Sequence, residues 1–189
     1  MKPTMLDLLN DYFENTPKEK ILEDWDSVKK YSEVGPPVEE FIQNQKQHIM
    51  QTNNWEKRIT PENIEKLDRG QVFVFGSNKA GFHAGGAAKQ AARCFGAING
   101  EGFGLMGDSF AIPTKDFELE TMEIGEIREY VDVFIKAAYH HEDKTFLVTE
   151  IGCGIAGYEP KDIAPLFKAA VGIENIHLPK RFWEIINKL

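Results

Sequence analysis

The chain has 189 residues, of which 42% are hydrophobic and 11% aromatic, enough for one sizeable core and too many for a disordered or fibrous protein. Its formal net charge of −8 at pH 7 disfavours a broad face for double-stranded nucleic acid, although a small anion in a local pocket stays open. No apolar run approaches the roughly 18 residues of a membrane helix, and the N-terminus lacks a secretory pattern, so we expect a cytoplasmic protein with no membrane partner. Two cysteines are too few for a structural zinc site, and we expect no metal or cofactor.

Residues 1–58 are predicted to form a helical N-terminal appendage. The segment 16-TPKE-19 has the pattern of a capping box with proline at the first helical position. A second helix is expected from about Pro37, and Pro61 is expected to open a short third turn around Ile64. None of these helices carries a constellation of reactive side chains, which favours a role in packing or in contact with a partner.

Residues 59–189 are predicted to form an α/β domain, because strand and helix patterns alternate along them. Strands are expected at 71–75, 109–113, 145–149 and 175–178, and helices at 86–95, around 124–138, at 160–171 and at 180–189. This alternation predicts helices layered on a mostly parallel sheet. In that architecture ligands bind beyond the carboxyl ends of the strands.

Two glycine-rich stretches lie at such strand ends. The first is 75-FGSNKAGFHAGGAAKQAARCFG-96 and the second is 149-TEIGCGIAGYEP-160. Glycines allow a ligand to approach the backbone amides, and the start of the following helix favours negative charge, so the expected ligand is a phosphate or diphosphate clamped by both loops. The alternative is that the glycines only permit tight connections between strand and helix.

These residues resemble the macrodomain superfamily, whose modules bind ADP-ribose and related nucleotides. The matching pieces are 72-VFVFGSN-78, 84-AGGAA-88, 112-IPTK-115 and 151-IGCGIAGYEPKDIAPLF-167, within about residues 70 to 175. The most similar branch removes ADP-ribose from nucleic acid or carboxylates and includes bacterial DNA-ADP-ribosylation antitoxins. The chain is also similar to uncharacterised macrodomain-like proteins of bacteria and phages. The resemblance implies a three-layer macrodomain-like fold.

The resemblance also implies a ligand-binding set at the two loops. Asn78 would bond the distal ribose, and the amides of Gly85 and Gly86 would face that ribose and the diphosphate. The whole predicted set is Gly76, Ser77, Asn78, Gly85, Gly86, Ala87, Lys115, Gly152, Cys153, Gly154, Ile155, Ala156, Gly157 and Tyr158. Within it, Lys115 either contacts a phosphate or is a solvated lysine, and Tyr158 either closes over a ribose or packs on the helix.

Three positions depart from the family pattern. Macrodomains read adenine with an aspartate before an Ile-Thr pair, and here Arg58 precedes Ile59-Thr60. The nucleophilic lysine of the antitoxin branch matches Gly85, and the water-orienting aspartate of another branch matches Ala88. Neither known catalytic arrangement is complete in this chain.

The candidates for catalysis are Asp116, Glu150 and His83, because glycosidic cleavage needs a group that activates water or attacks carbon. Asp116 is equally a turn residue, and Glu150 is equally the partner of Lys115. His83 lies in the first loop and titrates near neutrality, although a loop histidine is often incidental. Cys153 is predicted to be a small buried side chain rather than a nucleophile.

Three functions follow from these predictions. In the first, the chain binds ADP-ribose or a related nucleotide diphosphate and acts as an ADP-ribosyl glycohydrolase on an ADP-ribosylated macromolecule. In the second, it is a non-catalytic sensor of a nucleotide signal, with the helical N-terminus docking a partner. In the third, it is an interaction protein that has kept the fold and lost the ligand.

Overall fold

The computed structural model describes residues 15–21, 23 and 55–189, and the chain divides into two units, Met1–His48 and Ile49–Leu189. In the first unit, residues 18–21 are helical, and the N–H of Ile21 donates to the carbonyl of Pro17 at 3.1 Å. This bond fits a helix that begins at the predicted proline. The helix expected from about Pro37 lies outside the described residues.

Within residues 55–189 the chain begins with a 3₁₀ helix, Trp55–Arg58, and continues without a helix to the first strand. The helical turn predicted around Ile64 is wrong, because residues 61–68 contain bends instead. The carbonyl of Ile64 accepts a hydrogen bond from the Gln90 side chain at 2.5 Å. The N–H of Asp68, which a helix would direct at that carbonyl, donates to the Gln71 side chain at 2.9 Å.

The sheet of the second unit has five strands in the order β2-β3-β1-β4-β5. They are β1 (Gln71–Asn78), β2 (Gly104–Met106), β3 (Ser109–Lys115), β4 (Thr145–Val148) and β5 (Ile176–His177). The pairs β3–β1, β1–β4 and β4–β5 are parallel, and only the edge pair β2–β3 is antiparallel. The prediction of an α/β domain with a mostly parallel sheet is confirmed.

The helices of residues 55–189 follow the strands. They are α1 (Gly86–Cys94), α2 (Ile124–His140), α3 (Pro160–Ile163), a second 3₁₀ helix (Ala164–Gly172) and α4 (Lys180–Ile186). The single helix predicted at 160–171 is therefore wrong in type after its first turn, since Pro165 lacks the N–H that an α-helix needs at that position. None of the helices in the described ranges is long and apolar enough to cross a membrane.

Strand β1 is buried on both faces, which explains its continuous apolar run. Val72 and Val74 belong to a core shared with α2, the second 3₁₀ helix and α4. Phe73 and Phe75 belong to a second core, shared with α1. Burying each of these phenylalanines contributes about 1.5–3 kcal/mol. Helices therefore cover both faces of the sheet, and the carboxyl ends of its central strands stay accessible between them.

Candidate functional site

A cleft of about 460 Å³ opens at the carboxyl ends of β1, β3 and β4, where the two glycine-rich loops meet. The predicted residues that line it are Gly76, Ser77, Asn78, Gly85, Gly86, Ala87, Lys115, Glu150, Gly152, Gly154, Ile155 and Ala156. Five predicted residues do not line it, namely His83, Asp116, Cys153, Gly157 and Tyr158. The convergence of the two loops, which the alternation of strands and helices predicted, is present in the structure.

The first loop is held in shape by the Asn78 side chain. Its Oδ1 accepts a hydrogen bond from the N–H of Phe82 at 2.9 Å, and its Nδ2 donates to the carbonyl of Phe82 at 2.8 Å. A β-carbon on Gly81, whose φ is +66°, would lie 2.3 Å from the amide nitrogen of Glu101, so the turn requires glycine. Asn78, predicted to bond a ribose, therefore has a backbone-anchoring role in this structure.

Helix α1 begins at the wall of the cleft. Gly85 is the residue before its first turn and makes no side-chain cap, and the N–H of Lys89 donates to the Gly85 carbonyl at 3.0 Å. The N–H groups of Gly86, Ala87 and Ala88 have no acceptor within the helix, because the first turn of any α-helix leaves such donors unpaired. All three residues line the cleft, so the positive end of the helix dipole lies beside it.

The second loop is a compact turn after β4. The N–H of Tyr158 donates to the Gly152 carbonyl at 3.0 Å, and the N–H of Gly157 donates to the Gly154 carbonyl at 3.0 Å. Gly152 has a φ of +73°, and a β-carbon there would lie 3.0 Å from Cδ1 of Ile163 on α3. The glycine at this position therefore permits both the turn and the close packing of the following helix.

Two side-chain bonds fasten the second loop to the segment before α2. The hydroxyl of Thr121 donates to the Ala156 carbonyl at 3.0 Å. The hydroxyl of Tyr158 donates to the Met122 carbonyl at 2.5 Å. Of the two roles predicted for Tyr158, the structure places its side chain in packing, away from the cleft.

The mouth of the cleft carries apolar side chains that are exposed to solvent. Phe82 is 60% exposed, Ile155 is 76% exposed and Leu119 is 39% exposed, and all three line the cleft. Phe82 and Leu119 were not predicted as site residues. An aromatic residue inside a glycine-rich loop, as Phe82 is, was the available signal for the first of them.

Two threonines that the sequence reasoning missed also line the cleft. Thr149 follows β4 directly, and its hydroxyl donates to the Val74 carbonyl at 2.9 Å. Thr114 lies near the end of β3, with its hydroxyl 3.4 Å from the Ser77 carbonyl. Their positions at the carboxyl ends of parallel strands were the signal that could have identified them. The remaining missed residues are Ala84, Ala88 and Ile151.

Asp116 lies outside the cleft and stabilises a turn. Its Oδ1 accepts the N–H groups of Glu118 at 3.0 Å and Glu120 at 2.8 Å. Side-chain acceptance of this kind is the ordinary role of aspartate in turns. Among the carboxylates predicted to act in catalysis, only Glu150 lines the cleft.

Glu150 forms an ion pair with Arg181 of α4, with a nitrogen–oxygen distance of 3.3 Å. Its predicted alternative partner, Lys115, instead donates to the Leu119 carbonyl at 2.5 Å. The Glu150 side chain is 38% exposed, and so it is accessible to a bound ligand. The charged residues lining the cleft are Lys115 and Glu150, and Arg181 offsets the charge of the latter.

His83 and Cys153 are poorly suited to the roles of acid, base or nucleophile. His83 is buried, and its Nε2 lies 3.0 Å from the Ser77 hydroxyl oxygen. Burial lowers the pKa of His83 below its ordinary value of 6.5. Burial, and after it the charge of Glu150, raises the pKa of the Cys153 thiol to about 11, so the reactive thiolate is scarce near neutral pH.

Arg58, which precedes Ile59 and Thr60, has a structural role. It donates to the carbonyls of Val171 and Ile173, each at 2.8 Å, and its guanidinium lies 4.7 Å from the centre of the Trp183 ring. Burial lowers the pKa of Arg58. The residue therefore connects the first 3₁₀ helix to the second and to α4 rather than lining the cleft.

Comparisons with known proteins give no match. No family model matches the chain, and neither a curated protein nor a solved structure matches it significantly. What the cleft binds therefore has to be inferred from its own geometry and chemistry.

Proposed function

We propose that the cleft binds ADP-ribose or a related nucleotide diphosphate, in a macrodomain-like manner. The observation that carries the proposal is the meeting of two glycine-rich loops, from the neighbouring parallel strands β1 and β4, in one cleft beside the start of α1. Backbone amides at such a place are donors that match the oxygens of a diphosphate. Gly85, Gly86 and Gly154 line the cleft and carry no side chain that would cover their own amides.

The local charge supports an anionic ligand despite the net charge of −8. The unpaired amides at the start of α1 and the Lys115 ammonium group lie at the cleft, and the Glu150 carboxylate is balanced by Arg181. A hydrogen bond to a charged group contributes about 1.5–3 kcal/mol. Three or four such bonds to a diphosphate contribute about 4.5–12 kcal/mol before the entropic cost of association, which is about 4 kcal/mol or more, so micromolar binding also requires contacts at the rim of the cleft.

The size and rim of the cleft support a ligand with a sugar and a base attached to the phosphates. A volume of about 460 Å³ lies in the range of small-molecule sites, about 300–1,000 Å³. The exposed Phe82 ring offers a surface on which a base or ribose can stack, which contributes about 1–3 kcal/mol per base in single-strand binding proteins. Leu119 and Ile155 provide further apolar contact at the mouth.

The direct test is calorimetry with ADP-ribose, NAD, ADP and adenosine. We expect ADP-ribose to bind with micromolar affinity and adenosine, which lacks phosphate, to bind at least about 30-fold more weakly, because the phosphate contacts supply about 2 kcal/mol or more. Absence of binding for every nucleotide diphosphate would overturn the proposal. Equal affinity for adenosine would overturn the role given to the amides.

Glu150 favours a second candidate, hydrolysis of an ADP-ribosyl linkage on a macromolecule. Its carboxylate lines the cleft and is partly exposed, where a carboxylate can activate water for attack on the anomeric carbon. The test is release of ADP-ribose from ADP-ribosylated DNA or protein. We expect Glu150→Gln to abolish release and Glu184→Gln, which alters an exposed glutamate of α4 outside the cleft, to retain it. If ADP-ribose binds but is not released from any ADP-ribosylated substrate, hydrolysis is refuted and the chain is a non-catalytic sensor.

A further inference from the structure

One hydrogen bond lies beneath the centre of the first glycine-rich loop. The Nε2 atom of His83 lies 3.0 Å from the hydroxyl oxygen of Ser77 on β1, and both residues are buried. The backbone N–H of His83 donates to Oδ1 of Asn99 at 3.2 Å. The His83 ring stands edge-on to the Phe75 ring, with the two ring centroids 5.2 Å apart. The loop between Asn78 and the start of α1 is therefore fastened to the sheet by this imidazole.

The second ring nitrogen of His83, Nδ1, differs from the first in its surroundings. Its Nδ1 is buried and unpaired within the described part of the chain. A neutral imidazole carries one N–H and one lone pair. The Ser77 hydroxyl donates to the Asn78 carbonyl at 3.3 Å, so its oxygen can accept the N–H at Nε2, and Nδ1 then holds only the lone pair. A protonated ring carries an N–H at both nitrogens, so the Nδ1–H would have no acceptor. The geometry accommodates the neutral ring and not the charged one.

Among residues 55–189, no carboxylate forms a hydrogen bond or an ion pair with the His83 ring. The side chains of β1 that contact the ring are Phe75 and Ser77, both uncharged. The uncharged Asn99, from the connection before β2, accepts a hydrogen bond from the backbone N–H of His83. Of the charged residues nearest along those two segments, Lys79 is a cation that pairs with Glu126, and Glu101 is exposed. Burial is the cause that lowers the pKa of His83.

We infer that His83 is a positioning residue that holds the first loop in its binding shape only while the imidazole is neutral, so that the cleft releases its ligand in mild acid. The part that concerns the ligand rests on the proposed function. The part that concerns the loop does not, because the Ser77–His83 bond joins two side chains of the protein and involves no ligand atom.

The direction of the effect follows from the two states of the loop. In an open, solvated loop the histidine has a pKa near 6.5, and in the closed loop the pKa is lower. The open loop therefore binds more protons, and falling pH favours it. The ratio of closed to open loop decreases by up to about tenfold for each pH unit below 6.5 until the closed-state pKa is reached, and the affinity falls with this ratio once the open loop is populated. Above about pH 7 the affinity is constant.

The test has a ligand arm and a ligand-free arm. Calorimetry with ADP-ribose is run at pH 7.5 and 5.5, between which this ligand keeps its charge because it has no phosphate monoester, whose second pKa is about 6. In the second arm, NMR follows the amide signals of residues 79–86 and the ring of His83 from pH 8 to 5 without ligand. The variant His83→Gln keeps a polar group near Nε2 and does not titrate.

His177 supplies the matched control. It is another histidine whose pKa is lowered, first by burial and then by Arg58, and it lies on β5 outside the cleft. We expect wild type and His177→Gln to lose affinity from pH 7.5 to 5.5, by at most about tenfold, whereas the affinity of His83→Gln stays constant. In the ligand-free arm, the loop signals of wild type move with the titration of His83.

Several results decide against the inference. A wild-type affinity that is independent of pH, or a pH dependence that persists in His83→Gln, overturns it. If His83→Gln does not fold, the ligand-free arm on wild type still decides. A His83 ring that titrates at 6.5, with loop amide signals that do not move, overturns the inference. If no nucleotide binds at any pH, the proposed function fails, and the ligand-free arm alone decides the role of His83.

Discussion

Ile155 of the second loop lies against Gly85 of the first: a β-carbon placed on Gly85 would come within 3.3 Å of the Cδ1 atom of Ile155. Gly85 has φ −137° and ψ 162°, an extended conformation that any residue adopts. The absence of a side chain there is therefore set by space rather than by backbone strain. The two loops meet at the mouth of the cleft through one exposed and movable isoleucine side chain.

This contact predicts a compensating pair of substitutions. Gly85→Val pushes on Ile155 and narrows the cleft, and we expect ADP-ribose affinity to fall about tenfold, or ~1.4 kcal/mol. Adding Ile155→Ala removes the obstructing atoms and should restore most of that loss. Calorimetry on the single and double variants measures the coupling. Purely additive effects would show that the loops do not meet across the ligand path.

Gly154 allows a test of the cleft without strain in the backbone. It has no positive φ, and a β-carbon there has no neighbour within 4 Å, so Gly154→Val extends into the cleft while the fold tolerates it. We expect affinity to fall about 30-fold, or ~2 kcal/mol, with stability changed by less than about 0.5 kcal/mol. Gly172→Val is the matched control, since Gly172 is also exposed, precedes the amino end of β5 and has equal room. Equal losses in both variants, or none in either, would contradict the site.

Substitution of Asn78 is expected to decrease both the stability of the protein and its affinity for the ligand. Asn78→Ala removes both bonds to the Phe82 backbone, and we expect urea denaturation to show a decrease of about 1–3 kcal/mol in the free energy of unfolding. Affinity should fall as well, because Phe82 and the start of α1 would no longer be positioned. Weakened binding with unchanged stability would instead assign the Asn78 side chain directly to the ligand.

The stability of the fold is expected to fall in mild acid. His83 and His177 have folded-state pKa values below 6.5, so these two residues bind protons more readily in the unfolded chain. The stability that they contribute is therefore present above about pH 6.5 and is lost as the pH falls below it. Urea denaturation at pH 7.5 and 5.5 should show a smaller free energy of unfolding at the lower pH. The double variant His83→Gln/His177→Gln should show a smaller difference than wild type, and an equal difference would refute the assignment.

The two cysteines should differ in reactivity at pH 7.5. Cys94 is exposed, whereas the pKa of Cys153 is raised to about 11, which leaves well under about 1% of it as thiolate. Mass spectrometry after brief treatment with iodoacetamide should find Cys94 modified and Cys153 intact in the folded protein. Rapid modification of Cys153 would contradict its burial.

The sequence could predict the architecture because the relevant signals are local. An apolar run bounded by glycine predicted β1, and alternating patterns predicted the parallel sheet and the edge where the loops meet. β2 was missed because three residues beginning with Gly104 carry no periodic pattern. The change from α to 3₁₀ helix was foreseeable from Pro165, whose missing N–H interrupts an α-helix.

The roles of individual side chains were harder to predict, because distant packing decides them. Whether Asn78 faces a ligand or a backbone depends on where Phe82 lies, and Glu150 pairs with Arg181, 31 positions later in the chain. The sequence places His83 in a loop, but its burial and its ring contact with Phe75 could be seen only in the folded structure. Sequence patterns therefore located the cleft, and the structure was needed to separate the residues that line it from those that support it.

The most direct test of the cleft is an NMR titration with ADP-ribose. We predict saturable shifts in the amide signals of Gly86, Ala87 and Gly154, while the signal of Gly172, before the amino end of β5, stays fixed. Absence of any shift at millimolar ligand, or shifts confined to residues outside the two glycine-rich loops, would contradict the claim that these loops together bind a nucleotide diphosphate.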